Sequence, residues 1–241
     1  MGPLAAACWG ALAALSLVIG AVVALRLRPS ARATGLVMGF GAGALFSAVA
    51  YELVPATALA GDGVPLVVAA GALVFFGADW LVDRGGGADR KALAGGAAGA
   101  GRAIVLGTLL DGVPESLVLG MGLALGGAVS AAFLIAVFVS NLPEAVGGTV
   151  ALRAAGTAPA AILGIWGGLV LASAAAAALG YALVRALPGV DGTYVQAFAA
   201  GAVLTMLADT MMPEAFAHGG KAVALLTVLG FLLAGLLSAR A

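Results

Sequence analysis

Charge is the scarcest property of this 241-residue chain. Aspartate, glutamate, lysine and arginine together make up 9% of it, whereas apolar residues make up 63%. Soluble domains carry about 25% charged residues, so this chain has too few to cover its surface in water. That shortage excludes a soluble enzyme, a nucleic-acid-binding protein and a disordered chain. The composition instead predicts an all-α integral membrane protein whose surroundings are the lipid bilayer.

Cysteine and histidine are almost absent as well. Cys8 is the only cysteine, which excludes a disulfide framework and any metal site built from several thiolates. The only histidine, His218, is predicted to be a solvated loop residue rather than a ligand. We therefore expect any metal site in this chain to use oxygen ligands.

What the sequence does contain is a series of long apolar runs. A helix needs about 20 apolar residues to cross a membrane. By that length the chain forms one domain, 1–241, with eight predicted spans at 4–25, 35–60, 64–83, 103–125, 129–152, 159–187, 193–217 and 221–239. The longest linker, 84–102, is rich in glycine and alanine and is predicted to be a flexible cytoplasmic loop.

The positions of the basic residues predict the orientation, because cytoplasmic loops carry an excess of them. With eight spans, alternate loops face the same side of the membrane. One side holds nine basic residues, and the other holds only Arg185 and Arg240. We therefore expect both termini to lie outside the cytoplasm, in a multi-pass protein of the plasma (cytoplasmic) membrane.

Acidic residues, unlike basic ones, occur within the apolar runs. Seven of the eleven acids lie inside or at the ends of predicted spans: Glu52, Asp79, Asp111, Glu115, Glu144, Asp209 and Glu214. An aspartate at the centre of a membrane helix costs roughly 2.5–3.5 kcal/mol. No lysine or arginine lies at a matching depth, so these carboxyls are expected to bind protons or a cation. The structural alternative is that protonated carboxyls hydrogen-bond neighbouring helices.

Two Pro-Glu motifs in adjacent spans sharpen this prediction. They are Asp111-Gly112-Val113-Pro114-Glu115 and Ser140-Asn141-Leu142-Pro143-Glu144. Residues four apart share a helix face, and a proline inside a helix frees a backbone carbonyl. We expect two broken helices that face each other at membrane depth and form an oxygen-rich site for a divalent cation.

An internal repeat adds a second signal. Segment 40–55 aligns without gaps on segment 198–213, with matches at Phe40/Phe198, Ala42/Ala200, Gly43/Gly201, Ala44/Ala202, Ala50/Ala208 and Pro55/Pro213. In the predicted topology these two spans run in opposite directions. Inverted repeats with broken helices are typical of alternating-access transporters.

These motifs resemble those of the ZIP (Zrt/Irt-like) divalent-metal transporter family, particularly its bacterial GufA-like branch. The family's His-Asn-x-Pro-Glu-Gly run on helix four, and a similar run on helix five, are matched by the two Pro-Glu motifs. Its helix-two and helix-seven motifs are matched by 51–56 and 209–215. The resemblance covers the whole chain in order, but Asp111 and Ser140 stand where the family has histidines.

The resemblance implies a homodimer of inverted-repeat, ZIP-like bundles with eight helices each. Helices one, four, five and six would move together against the others in an elevator-type mechanism. The implied metal residues are Asp111, Glu115, Ser140, Asn141 and Glu144, with Glu52, Asp209 and Glu214 on the access path, on the release path or in proton exchange. The substrate would be Zn²⁺, Fe²⁺, Mn²⁺ or Cd²⁺, and an oxygen-only site favours harder ions such as Mn²⁺.

Three other functions stay open at this point. A ZIP-like scaffold or metal sensor without transport activity would account for the replaced histidines. A cation/Ca²⁺ exchanger also carries Pro-Glu repeats, although there the repeats lie in separate halves of the chain. An intramembrane hydrolase would need a metal held by carboxylates, because no histidine or lysine is predicted within the membrane; Lys221 is at the very start of the last predicted span. The transporter, which is not an enzyme, is the interpretation that the motifs favour.

Overall fold

The computed structural model describes residues 2–54, 59–60, 63–84, 100–125, 131–186 and 192–240. Within these ranges every regular element is helical and no β-strand occurs, which confirms the all-α prediction. The elements are α1 (Pro3–Leu27), α2 (Ala31–Ala48), a first π-helical segment (Val49–Leu53), α3 (Val64–Arg84), α4 (Ala100–Ala124), α5 (Ala131–Ala154), α6 (Pro159–Ala186), α7 (Gly192–Met206), a second π-helical segment (Leu207–Met211), α8 (Met212–Gly219), a 3₁₀ turn (Gly220–Ala222) and α9 (Val223–Ser238). Most of the predicted cytoplasmic loop, 85–99, lies outside the described residues.

Six stretches of the described chain are long and apolar enough to cross a membrane. They are Pro3–Leu27, Ala31–Leu53, Val64–Leu81, Ala131–Ala154, Pro159–Ala186 and Gly192–Ser238. Large apolar side chains on these stretches are exposed at the surface; Leu66 and Leu225, for example, are 76% and 73% exposed. Such surfaces are compatible with a helical bundle that faces lipid. The last stretch contains three helices, α7, α8 and α9. Helix α8 ends at Gly219, and the residue that caps it, Gly220, has φ +66° and ψ −160°. Glycine adopts this conformation easily, whereas other residues are strained in it.

Four helices, α1, α4, α5 and α6, pack against one another and are called the α1 group. The remaining helices are called the α2 group: α2 with α8 and α9, which pack on it, and the α3–α7 pair, which contacts the first π-helical segment and also α4. The fully buried Trp166 lies in the core of the α1 group, where its indole N–H donates a 2.8 Å hydrogen bond to the Thr149 hydroxyl. Helix α2 also packs along α5 and so joins the two groups.

Both copies of the repeated sequence make the same kind of helix crossing. A Cβ atom on Gly43 would overlap the carbonyl oxygen of Thr227 in α9, and a Cβ on the matched Gly201 would overlap that of Val68 in α3. Small residues allow membrane helices to approach this closely. Each copy therefore uses its glycine to pack a different partner helix.

In each crossing, a glycine of the partner helix also packs against a matched position of the repeat. A Cβ on Gly230 would overlap the carbonyl oxygen of Phe40, and a Cβ on Gly71 would overlap that of Phe198. Phe40 and Phe198 are matched in the alignment. The sequence repeat is thus accompanied by a repeated packing arrangement, α2 with α9 and α7 with α3.

The helical irregularities are not where the sequence predicts them. Helices α4 and α5 continue as α-helices through Pro114 and Pro143, so the expectation of two broken helices is wrong. Proline removes one backbone N–H, and packing holds the surrounding helix; Pro143 is fully buried. The π-helical segments at 49–53 and 207–211 occur instead at matched positions of the repeat. Single π turns inside α-helices frequently lie at functional sites.

Candidate metal site

A small cavity of about 70 Å³ lies where the two helix groups meet. Its polar lining consists of the carboxylates Asp111, Glu115, Glu144 and Glu214 and the hydroxyls of Thr108, Ser140 and Thr210. The remaining lining residues are Met38, Met206, Met211, Gly107, Gly147, Gly148 and Ala151. One water needs about 10–15 Å³ of such space, so the cavity has room for a few waters or a partly hydrated ion.

Helices α4 and α5 supply most of the polar side of this cavity. Asp111 and Glu115 lie one helical turn apart on α4, as do Ser140 and Glu144 on α5. The Ser140 hydroxyl donates a 2.9 Å hydrogen bond to the carbonyl of Val137. Its oxygen keeps its lone pairs for a cation or a donor in the cavity. The two Pro-Glu motifs therefore contribute to one site, as the sequence predicts.

The Glu115 carboxyl is buried and lines the same cavity as two other acids, Asp111 and Glu144. Glu115 is only 2% exposed, and the charges of Glu144 and Asp111 both act on it. None of the described lining residues is a lysine or an arginine. Carboxylates that share a small cavity repel one another when all are ionised, and protons or a bound cation relieve that repulsion.

Helix α2 reaches the cavity because it approaches α5 closely. A Cβ atom on Gly41 would lie 2.8 Å from the Cα of Ser140, closer than real side chains approach. Met38 lies about one turn before Gly41 on the same helix and lines the cavity. A side chain at position 41 would push α2, and Met38 with it, away from the carboxylates.

The second π-helical segment turns the end of the α7–α8 run toward the cavity. In an uninterrupted α-helix, Met206 and Met211 would point about 140° apart. A π turn bonds residue i to residue i+5, which brings both methionines to the same cavity, together with Thr210 and Glu214. The irregular backbone therefore decides which side chains of this run reach the site.

Two hydroxyl groups at the cavity have no hydrogen-bond partner among the residues that the structure describes. They are the buried oxygens of Thr108 and Thr210. Buried polar groups of this kind are rare, and an ordered water or ion commonly accounts for them. Both hydroxyls are therefore available to bind a water molecule or a cation in the cavity.

Three of the eight predicted site residues lie elsewhere. Asn141 is buried on α5 but does not line the cavity. Glu52 lines a separate groove of about 520 Å³, together with Tyr51 and Phe231. Asp209 lines a third, shallow cavity of about 360 Å³, since the π turn directs Thr210 and Met211, its neighbours, to the acidic cavity. A role in metal binding stays a prediction for these three residues.

His218 is not the solvated loop residue that the sequence predicts. It lies in α8, one turn after Glu214, and is half-buried. Its Nε2 atom is buried and makes no hydrogen bond within the described part of the chain. It does not line the acidic cavity. The predicted loop begins after residue 217, but α8 continues to Gly219, so His218 belongs to the helix.

The acids alone do not form a complete metal site. Within the described ranges, no three side chains of histidine, cysteine, aspartate or glutamate lie close enough together to hold a metal ion. Hydroxyl and thioether groups would have to complete the coordination. Five further lining residues carry no signal in the sequence, because methionine and threonine are ordinary within apolar helices: Met38, Thr108, Met206, Thr210 and Met211.

Comparison with known proteins identifies no matching family model and no matching curated protein. The resemblance to ZIP transporters thus depends on the four motifs alone, and the site has to be interpreted from its own geometry and chemistry.

Proposed function

We propose that this protein transports a divalent metal cation of the Zn²⁺, Fe²⁺ or Mn²⁺ class across a membrane through the acidic cavity. One observation carries this proposal: four carboxylates, from α4, α5 and α8, line a single small cavity. Ionised carboxylates are costly at membrane depth. A divalent cation would offset that cost and would be held by oxygen ligands that such ions accept.

The arrangement of the two helix groups suggests how the cation would cross. The cavity lies between the α1 group, which carries Asp111, Glu115 and Glu144, and the α2 group, which carries Glu214. Movement of the α1 group against the α2 group would open the cavity first to one side and then to the other, in elevator-type alternating access. Eight membrane crossings, extracytoplasmic termini, a plasma-membrane location and a homodimer belong to the same proposal.

The acids would also couple metal binding to proton release. An empty cavity would hold one or more protons on its carboxyl groups, because the ionised groups repel one another. A metal ion displaces those protons when it binds. Protons would therefore leave the cavity as the cation arrives and return after it has left.

The direct test is uptake of Mn²⁺, Fe²⁺, Zn²⁺ and Cd²⁺ into proteoliposomes, with wild type beside Glu144→Gln. Glutamine keeps the shape of the side chain and removes its charge. Even partners outside the first coordination shell affect metal affinity by about 10–100-fold, so we expect uptake to fall by at least about 100-fold.

The matched control for this test is Asp79→Asn. Asp79 is a buried acid, 3% exposed, on α3, and it does not line the cavity. We expect the Asp79→Asn protein to retain uptake. Wild-type uptake by a well-folded Glu144→Gln protein would contradict the proposal.

A non-transporting scaffold or metal sensor is the second candidate function. It is favoured by the finding that no three acids, histidines or cysteines of the described chain converge on one point. In that case folded wild-type protein would bind metal in detergent but would carry none into proteoliposomes. The same uptake assay therefore separates the two candidates.

A further inference from the structure

Three methionines line the acidic cavity together with the acids. Met38, Met206 and Met211 line it and are 2%, 4% and 9% exposed. They come from α2, from the end of α7 and from the end of the second π-helical segment. All three thus belong to the α2 group, as do Thr210 and Glu214, whereas Asp111, Glu115 and Glu144 belong to the α1 group.

A cation in this cavity would therefore meet two kinds of ligand. The first kind is the carboxylate group, and too few of these lie at any one point to hold a metal by themselves in the described chain. The second kind is the thioether group of the lining methionines, which carries no charge. Neutral ligands can complete a coordination shell without adding negative charge to a cavity that already holds four acids.

We propose that the three methionines make the cavity selective for soft or borderline divalent cations, such as Cd²⁺ and Zn²⁺, over Mn²⁺ and Mg²⁺. Thioether and thiolate ligands favour the softer metals, whereas sites made only of carboxylate, carbonyl and water suit Mg²⁺, Ca²⁺ and Mn²⁺. This inference rests on the proposed function and narrows its substrate. It reverses the preference for harder ions that an oxygen-only site would have.

The competing explanation is that the methionines only fill space. Methionine is flexible and often fills irregular gaps in cores, and all three residues also belong to the main apolar core. Leucine has nearly the same volume, so exchange for leucine usually costs less than about 1.5 kcal/mol. Met→Leu variants therefore remove the sulfur while leaving the packing almost intact.

The experiment measures the ratio of Cd²⁺ to Mn²⁺ uptake in proteoliposomes containing the full chain. The variants are Met38→Leu, Met206→Leu, Met211→Leu and the combination of all three. Met212→Leu is the matched control, because Met212 adjoins Met211 but does not line the cavity. We expect the triple variant to lose about tenfold in this ratio, equivalent to roughly 1.4 kcal/mol of selective binding, and the control to retain the wild-type ratio.

X-ray absorption at the cadmium edge supplies a second readout that does not depend on transport. Cd²⁺ bound to wild type should show sulfur neighbours, and Cd²⁺ bound to the triple variant should show only oxygen. An unchanged uptake ratio together with an oxygen-only wild-type spectrum would overturn the inference and leave metal transport standing. Absence of uptake of either metal by folded wild type would overturn the proposed function, and the cadmium spectrum would still decide whether the methionines bind metal.

Discussion

The two π-helical segments hold the same place in the repeated sequence, but they serve different parts of the molecule. Both follow a helix that crosses its partner at a matched glycine. The first segment presents Glu52 to a groove beside α9, where Tyr51 and Phe231 also lie. The second presents Thr210 and Met211 to the acidic cavity.

This difference separates what the repeat supplies from what the individual side chains supply. The repeat supplies two equivalent helix crossings and two equivalent irregular turns. The function of each turn depends on its side chains and on the helices opposite it, since only the second turn meets α4 and α5 at the cavity. Glu214, for example, follows the second π segment at the position where the first copy has Ala56.

The largest expected effect concerns the shared scaffold. Alanine at Gly43 or Gly201 would place a Cβ on a backbone carbonyl of the facing helix, and such overpacking typically costs about 1–3 kcal/mol. We expect Gly43→Ala and Gly201→Ala to lower the thermal stability of the detergent-solubilised protein by similar amounts. Gly77→Ala is the control, because a Cβ there meets nothing within 4 Å. A loss confined to one of the two crossings would break the equivalence of the copies.

A smaller effect should distinguish the acids that follow from the two turns. Glu214→Gln removes a carboxylate from the cavity, and we expect metal uptake to fall about tenfold, equivalent to roughly 1.4 kcal/mol. Glu52→Gln changes an acid in the separate groove, and we expect uptake within about twofold of wild type, as for changes away from a site. Equal losses in the two variants would show that both turns serve the transport path.

The smallest effect should come from the Thr210 hydroxyl. Its oxygen is buried without a hydrogen-bond partner in the described chain, so Thr210→Val should leave stability unchanged or slightly higher. If the hydroxyl helps to hold the cation, uptake should fall about threefold, within the usual worth of one hydrogen-bonding group.

Thr205→Val is the matched control for this variant. The Thr205 hydroxyl already donates a 2.9 Å hydrogen bond to the Gly201 carbonyl and does not line the acidic cavity. We expect Thr205→Val to lower the stability of the protein slightly and to leave metal uptake at the wild-type level. Unchanged uptake in Thr210→Val as well would remove this hydroxyl from the site.

Much of the candidate site could be predicted because helical spacing is a local property. Asp111 and Glu115, or Ser140 and Glu144, share a helix face wherever the helix is placed. Glu214 is likewise predicted from the sequence, as an acid within an apolar run. The position of Asp209 could not be predicted, because it lies in a π-helical segment, an irregularity of the backbone that helical spacing does not anticipate. The methionines could not be predicted as site residues, because methionine is also an ordinary residue of apolar cores.

The amino-acid sequence by itself determined that the chain is helical and apolar enough for a membrane, since both properties follow from residue type and from run length. It also placed Asp111 and Glu115 on one face of a helix, and Ser140 and Glu144 on one face of the next. Only the tertiary structure decided which acids share a cavity, that methionines line the same cavity, and that Glu52 lies apart. Those outcomes depend on helix crossings and on two π turns, which residues distant in sequence determine together.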